Sequence, residues 1–269
     1  MRYQAFWKRS YSRLIFNAIF GFKSFVSFFR PYFKEHKYQT ILYQNTLLFR
    51  ALHIIKRIKF ECIIPVKLDE INISIGESLR NKSWWMGNLF PKTLLRQLNT
   101  DARMLSKTQQ FTKAATGASH AKLIDTKIRG DQTYWLSEPS LEPPNLAQLQ
   151  ISIAMLSLKD TFENYFPILL NNFEGHYSHY PTGSFYKKHM DNARHTNNRV
   201  FSVITYFNED WHEGDGGELV LYSPEDGRVL IEIKPHFGVT VIFFSADFPH
   251  EVKETLLDRY SLTGWFTHK

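Results

Sequence analysis

Cysteine is nearly absent from this sequence, which has a single one, Cys62, among its 269 residues. One cysteine cannot form an intramolecular disulfide, so the class of disulfide-stabilised secreted domains is excluded and a reducing, cytoplasmic location is expected. Cys62 stands in the apolar run Cys62-Ile63-Ile64. Apolar surroundings keep a thiol protonated, so we expect an inert cysteine rather than a nucleophile.

Acidic residues are nearly absent from residues 1–60, which hold twelve Lys or Arg and one acid, Glu35. This segment carries a formal charge of +11, and because the whole chain carries +7, the remainder carries −4. A domain that binds nucleic acid concentrates its basic residues on its own surface. The charge distribution therefore predicts no nucleic-acid partner, in spite of the positive net charge.

A long uncharged apolar run is also lacking. The most apolar piece, Leu14 to Phe29, contains Lys23 and is shorter than the ~20 apolar residues that a membrane-spanning helix needs. No A-x-A-like cleavage site marks a secretory signal. Residues 1–60 therefore keep two targeting interpretations, a basic amphipathic helix on an anionic membrane surface or an acid-poor organellar presequence.

A third interpretation treats the N-terminal segment as absent from the native product, because the next methionine after the first is Met86. Translation from Met86 would keep every motif described below. The sequence therefore predicts an N-terminal extension over residues 1–85 and a main domain over residues 86–269.

The pattern of apolar residues predicts two helices followed by a β-rich half. Apolar residues recur at helical spacing over 88–111 and 146–166. From residue 168 onward, alternation and turn residues predict eight short strands. These strands are expected near 170–179, 184–191, 200–207, 217–222, 229–233, 239–244, 249–252 and 259–267. Eight short strands with supporting helices indicate an α+β fold built on a double-sheet jelly roll.

One combination of residues in the β-rich half is typical of a metal site. His189-Met190-Asp191 places an imidazole and a carboxylate two residues apart, where strand alternation turns them to one side. His250 follows the predicted strand 239–244 and can supply a third ligand. Two histidines and one carboxylate on one face of a metal form the facial triad of non-haem Fe(II) oxygenases.

An arginine nine residues beyond the second histidine adds a site for an anion. Alternation along the last strand puts Arg259, Ser261, Thr263 and Trp265 on one face. A buried guanidinium needs an anionic partner, and its planar fork matches a carboxylate. Tyr206 lies on the inward face of its own predicted strand and can offer a hydroxyl beside Arg259. An Fe(II) triad with a carboxylate-binding arginine suggests a 2-oxoglutarate-dependent oxygenase.

With these motifs in place, the chain resembles the prolyl-4-hydroxylase-like Fe(II)/2-oxoglutarate oxygenases, and more closely the hypoxia-type (Egl-nine-like) prolyl hydroxylases and their bacterial relatives. The resemblance runs from about Leu89 to Phe266. Its motifs are Ile128-Arg129-Gly130-Asp131, Tyr180-Pro181, Tyr186-x-x-His189-x-Asp191-Asn192, Tyr206-Phe207-Asn208, Gly216-Gly217-Glu218-Leu219, Pro249-His250-Glu251-Val252 and Arg259-Tyr260 to Trp265.

The resemblance implies a double-stranded β-helix of cupin-like form and a role for each matching residue. His189, Asp191 and His250 would hold Fe(II), and Arg259 with Tyr206 would bind the distal carboxylate of 2-oxoglutarate. Tyr186 and Thr263 would line the cosubstrate pocket, with Trp265 near it and Arg129 and Tyr180 at the rim. The implied reaction uses O2, and ascorbate, to hydroxylate a substrate, first of all a prolyl residue of a protein, with release of succinate and CO2.

Other functions stay open at this point. The substrate could be a free amino acid or another small molecule, or the chain could be an oxygen- or iron-sensing binding protein with little turnover. A membrane-surface protein that acts through residues 1–60 is a further alternative. Five other histidines are expected to be surface or loop residues: His176, His179, His195, His212 and His236. A less favoured alternative for His179 is that it approaches the metal from the preceding strand.

Overall fold

The computed structural model describes residues 68–115, 124–136, 146–192 and 198–268. The predictions for residues 1–60, for Cys62 and for His195 fall outside this range and stay predictions. The three helices are α1 (Leu68–Lys82), α2 (Lys92–Lys107) and α3 (Leu146–Tyr165). The strands are β1 (Trp84–Asn88), β2 (Thr112–Lys113), β3 (Gln132–Trp135), β4 (Leu170–Tyr180), β5 (Tyr186–His189), β6 (Arg199–Tyr206), β7 (Leu219–Tyr222), β8 (Val229–Ile233), β9 (Val239–Phe244), β10 (His250–Val252) and β11 (Arg259–His268).

The strands form two antiparallel sheets, which confirms the predicted jelly roll. The larger sheet has the order β1-β9-β6-β11-β4-β3-β2, and the smaller one has the order β5-β10-β7-β8. The strands from β4 onward match the eight predicted ones to within two residues at each end. Both predicted helices are also present, as α2 and α3.

Alternation along the strands of the larger sheet separates two hydrophobic cores. Tyr177, Phe201 and Phe266 point to one face and pack with helices α1, α2 and α3. Tyr206 and Val241 point to the other face and pack against the smaller sheet. Because successive side chains of a strand point to opposite faces, each strand serves both cores. The face toward the smaller sheet is the one that carries the candidate site.

The first helix and the first strand were not predicted. Ile71, Ile75 and Leu79 recur every four residues and pack into the core beside the helices, but the exposed Ile73 between them makes the pattern look like strand alternation. Strand β1 pairs with β9, with Met86 opposite Val241.

The predicted domain boundary between residues 85 and 86 therefore falls inside a paired strand. A chain that began at Met86 would keep the site motifs but would lack α1 and the buried side chains of Ile75, Leu79 and Trp85. The domain division at residue 86 stays a prediction, and these buried side chains show that the core extends to residues before it.

No helix within the described residues is both long enough and apolar enough to cross a membrane. The longest of them, α3, has 20 residues and packs by one side into the core through Ile151, Leu158 and Phe162.

We expect Ile75→Ala to lower the free energy of unfolding by about 2–5 kcal/mol, because it removes a fully buried side chain and leaves a cavity. The matched control is Ile73→Ala on the same helix, where the side chain is 50% exposed and the change should be within about 0.5 kcal/mol. Urea unfolding of both variants measures the difference. Equal effects would mean that α1 does not belong to the core.

Candidate active site

Three side chains with metal-binding atoms meet where the smaller sheet faces the larger one. His189 ends β5 and His250 begins β10, and the two residues are direct partners in the antiparallel pairing of these strands. Asp191 lies in the turn just after β5 rather than on the strand itself. One ligand atom from each of the three residues falls within 4.8 Å of the others. This geometry brings together the three residues that the sequence predicts as ligands.

Hydrogen bonds fix which nitrogen of each imidazole faces the others. His189 Nδ1 lies 2.8 Å from the carbonyl oxygen of Lys187, and His250 Nδ1 lies 2.9 Å from that of Phe248. A carbonyl oxygen only accepts, so both Nδ1 atoms carry the proton. The Nε2 atoms are left with free lone pairs, 3.8 Å and 3.7 Å from the carboxylate of Asp191. Neutral imidazoles with Nε2 lone pairs aimed at one point suit a divalent metal.

The carboxylate of Asp191 is held by its own hydrogen-bond partners. Ser202 Oγ donates to Asp191 Oδ2 at 2.6 Å, and Ser245 Oγ lies 2.8 Å from Ser202 Oγ. Burial alone would raise the pKa of Asp191, but His250, His189 and the hydrogen bond from Ser202 together lower it. Asp191 is therefore ionised at neutral pH, as a metal ligand must be.

A buried arginine without a carboxylate partner lies on the same side of the larger sheet. Arg259 is 2% exposed, and its guanidinium carbon lies 4.7 Å and 4.8 Å from the ring centres of Tyr180 and Tyr206. Arg259 Nε and the Tyr206 hydroxyl are buried without a hydrogen-bond partner among the described residues. A buried charge is costly unless it is paired. These groups therefore fit an anionic ligand that brings its own oxygen atoms.

Two adjacent glycines make room for this arginine. Gly216 and Gly217 have φ values of +72° and +76°, in the left-handed region that other residues rarely adopt. A Cβ on Gly217 would stand 2.8 Å from Cδ of Arg259, and one on Gly216 would overlap the carbonyl oxygen of Glu254. The Gly216-Gly217 motif of the sequence thus has a steric reason beside the anion site.

Comparisons with known proteins agree with this geometry. A family model described as the 2OG-Fe(II) oxygenase superfamily matches residues 175–267. The crystal structure of a Pseudomonas putida prolyl-4-hydroxylase superposes with a TM-score of 0.64 at 30% identity, over 74% of this chain and 99% of that one. The chain belongs to the prolyl hydroxylase-like 2OG-Fe(II) oxygenases.

Two further relatives widen the comparison. The Caenorhabditis elegans hypoxia-inducible factor prolyl hydroxylase is 31% identical over 150 residues, which make up 53% of this chain and 20% of that protein. This chain thus matches about a fifth of the length of that relative. A Trichoplax adhaerens prolyl hydroxylase, solved with a peptide fragment of the hypoxia-inducible factor oxygen degradation domain, shares the fold (TM-score 0.66, 22% identity, 74% of this chain and 90% of that one).

The donor set of this oxygenase fits the iron and the cosubstrate of its family. Two neutral imidazoles and one carboxylate on one side of a metal leave its other positions open. The unpaired Tyr206 hydroxyl and Arg259 Nε are donors, which match the distal carboxylate of 2-oxoglutarate. Both ends of the expected site are therefore present in the structure.

The Tyr186 side chain lies against the predicted metal ligand His189, and its role in lining the cosubstrate pocket stays a prediction. Its ring stacks on His189 with centroids 3.6 Å apart. The guanidinium of Arg129 lies 4.0 Å above the Tyr186 ring and forms a bidentate pair with the buried Asp131, at 2.7 Å and 2.6 Å. The Arg129–Asp131 pair therefore supports the tyrosine that covers the predicted metal ligand His189.

The residues between the two ends of the site follow the predicted alternation of β11. Thr263 Oγ1 lies 3.3 Å from Ser178 Oγ and 3.3 Å from Ser261 Oγ. Trp265 follows on the same face, where the guanidinium carbon of Arg199 lies 3.4 Å from its ring centre. The structure thus places the predicted pocket residue Thr263 in a hydroxyl-lined row between Arg259 and Trp265.

The expectation that the other histidines lie on the surface is wrong for His176 and His179, which are both buried. They lie on opposite faces of β4, because they are three residues apart. His179 stacks on Tyr260, on the helix side of the sheet, so it does not approach the metal. His176 is paired with Thr263 and faces the site. His176 is four residues before the rim residue Tyr180 on the same strand, so both side chains point to one face. This spacing could have identified His176 as a residue of the site.

We expect Ser202→Ala to weaken metal binding by about 10–100-fold, because the carboxylate of Asp191 loses the hydrogen bond that orients it. The matched control is Ser245→Ala, which removes a hydroxyl that contacts Ser202 Oγ and should weaken binding less. Titration with Mn²⁺, followed by electron paramagnetic resonance, measures both affinities. Equal affinities for Ser202→Ala and wild type would contradict the positioning role.

Proposed function

We propose that this protein is an Fe(II)- and 2-oxoglutarate-dependent dioxygenase that hydroxylates a prolyl residue of a protein, with release of succinate and CO2. One observation supports the proposal above all. A three-residue metal site with open positions shares one interior with a buried arginine that has no carboxylate within ion-pair distance among the described residues. Metal and carboxylate sites in one interior are what a keto-acid cosubstrate requires.

In this proposal His189, Asp191 and His250 hold the iron through Nε2, a carboxylate oxygen and Nε2. The iron, when bound, activates O2 together with the keto acid, which is chemistry that no side chain supplies. The protein contributes orientation, since the carbonyl groups of Lys187 and Phe248 fix the two imidazoles. Each Nδ1–H donates to a backbone carbonyl, so each Nε2 would be the atom that faces the metal.

Arg259 and Tyr206 bind the distal carboxylate of 2-oxoglutarate. Burial raises the pKa of the Tyr206 phenol, with the positive charge of Arg259 acting in the opposite sense. The phenol is therefore protonated at neutral pH and donates a hydrogen bond. Tyr206 lies in the hydrophobic core between the two sheets, with apolar residues such as Val241 and Leu221. These residues exclude water from Tyr206 and Arg259. Exclusion of water strengthens both charge-assisted hydrogen bonds.

Several observations favour a prolyl residue as the substrate. The relatives named above are prolyl hydroxylases, and one of them was solved with a protein-derived peptide. The site also reaches the surface at Trp135, a half-exposed aromatic side chain next to the buried Trp265. A half-exposed aromatic rim provides contact area for a peptide. A free amino acid is the alternative substrate. The use of ascorbate as a reductant stays a prediction.

The test measures succinate and hydroxylated product separately. Purified protein with Fe(II), 2-oxoglutarate and ascorbate should form succinate, and lysate peptides should gain a 2-oxoglutarate-dependent +16 Da on proline. His189→Ala should abolish both, because the metal loses a ligand. His212→Ala is the matched control, since the His212 side chain is exposed and contacts Asp215 rather than the predicted metal ligands. If only free proline gains oxygen, the substrate is a small molecule and not a protein. If no succinate forms, the result favours a sensing protein with little turnover.

We expect Tyr206→Phe to raise the KM for 2-oxoglutarate by about 10–100-fold. A hydrogen bond to a charged group contributes about 1.5–3 kcal/mol, and each 1.4 kcal/mol is about tenfold in affinity. Tyr222→Phe is the matched control, because that hydroxyl bonds Glu251 near the surface, 2.6 Å away. Succinate formation at varied 2-oxoglutarate gives the two KM values. If Tyr206→Phe and Tyr222→Phe have equal KM values for 2-oxoglutarate, Tyr206 does not bind the cosubstrate.

A further inference from the structure

A second pair of buried polar atoms without partners lies far along the same face from Arg259. His176 is 3% exposed and Trp265 is 7% exposed. His176 Nδ1 and Trp265 Nε1 have no hydrogen-bond partner within the described residues. The two rings are neighbours, with centroids 5.5 Å apart. Buried polar atoms are nearly always satisfied, so two adjacent unpaired ones indicate a place for a ligand group.

The cosubstrate proposed above cannot satisfy both pairs of atoms. Along the backbone of β11, Arg259 is about 13 Å from Thr263, the residue opposite His176, and about 20 Å from Trp265. A five-carbon dicarboxylate is much shorter than either distance. Asp191 lies beside the Trp265 end, because its partner Ser202 is opposite Trp265 in the sheet. The metal site therefore lies toward the second pair, which is on the side of the interior where a substrate can approach the metal.

Aromatic rings enclose this second pair and lead to the surface. Trp135 packs on His176 with centroids 4.7 Å apart and is itself 50% exposed. On the other side, the guanidinium of Arg199 covers Trp265 and lies 4.0 Å from Asp191. Burial lowers the pKa of His176 to about 3, with Arg129 and Arg199 acting in the same sense. The imidazole is thus neutral at pH 7 and can hydrogen-bond without adding charge.

We propose that His176 is a specificity-determining residue that, with the indole N–H of Trp265, binds an amide group of the substrate next to the proline that is hydroxylated. This assignment rests on the proposed function. A secondary amide offers one carbonyl, which can accept from Trp265 Nε1, and one N–H, which can donate to a neutral imidazole. The amide before a proline has no N–H, so the amide after the proline is the one that supplies both.

The position of His176 also predicts an unusual effect on stability. A buried hydrogen-bonding atom with no partner in the free protein is unfavourable, so replacing it with an apolar side chain of similar size is neutral or stabilising. A histidine that serves only the fold would behave in the opposite way. The combination of unchanged or higher stability with weaker substrate binding is therefore diagnostic of a binding role.

The test uses the full chain and the proline peptide that wild type hydroxylates fastest in a pool of capped pentapeptides with a central proline. His176→Leu should raise the KM for this peptide at least tenfold and change the KM for 2-oxoglutarate by less than twofold, without a lower Tm. His176→Asn, which retains a polar atom near the position of Nδ1, should recover most of the peptide KM. If His176→Leu does not fold, the His176→Asn variant is used in its place.

The matched control is His179→Leu, a buried histidine three residues away on the helix side of the same strand. It should leave the peptide KM within twofold, because its side chain stacks on Tyr260 on the helix side of the sheet. Replacing the amide after the proline with an ester should raise the KM of wild type but not that of His176→Leu. Wild type without succinate formation would overturn the proposed function together with this assignment. Succinate formation by wild type with equal peptide KM values in wild type and both His176 variants would overturn this assignment alone.

Discussion

The pairing of β11 with β4 on one side and β6 on the other is the constraint on which the rest of this protein depends. β11 is the central strand of the larger sheet, and its residues Ser261 to Phe266 have paired neighbours on both sides. Its alternation sends Leu262 and Phe266 to the helices and Arg259 and Trp265 to the site. A shift of one residue in register would exchange these two sets. Packing of the core and assembly of the site are therefore one and the same requirement.

The site retains polar groups that the fold alone does not need. Arg259, Tyr206, His176 and Trp265 each have a buried polar atom without a partner among the described residues. Such groups lower the stability of the free protein, and ligands that pair them recover this free energy on binding. The unpaired atoms occur in two pairs at opposite ends of one strand face. One pair fits the cosubstrate carboxylate and the other fits the substrate amide, which are the roles proposed above.

Much of the fold was predictable because the β-rich half has regular alternation and clear turns. The eight strands from β4 onward and the helices α2 and α3 lie where the sequence pattern places them. Helix α1 was missed because Ile71, Ile73 and Ile75 alternate like a strand, and their helical role depends on the packing of Ile75 against the core. The tightly packed β1 likewise has no local signal, since its place is set by pairing with β9.

The sequence by itself determined the ligand types of the site, because His189, Asp191, His250 and Arg259 are separated by spacings that strands and turns convert into one interior. Only the tertiary structure decided which other side chains share that interior. It turned His176 toward Trp265 and His179 toward Tyr260, and it stacked Tyr186 on His189. The physical reason is that spacing along a chain fixes the face of a strand, whereas neighbours across a sheet depend on register and on long-range pairing.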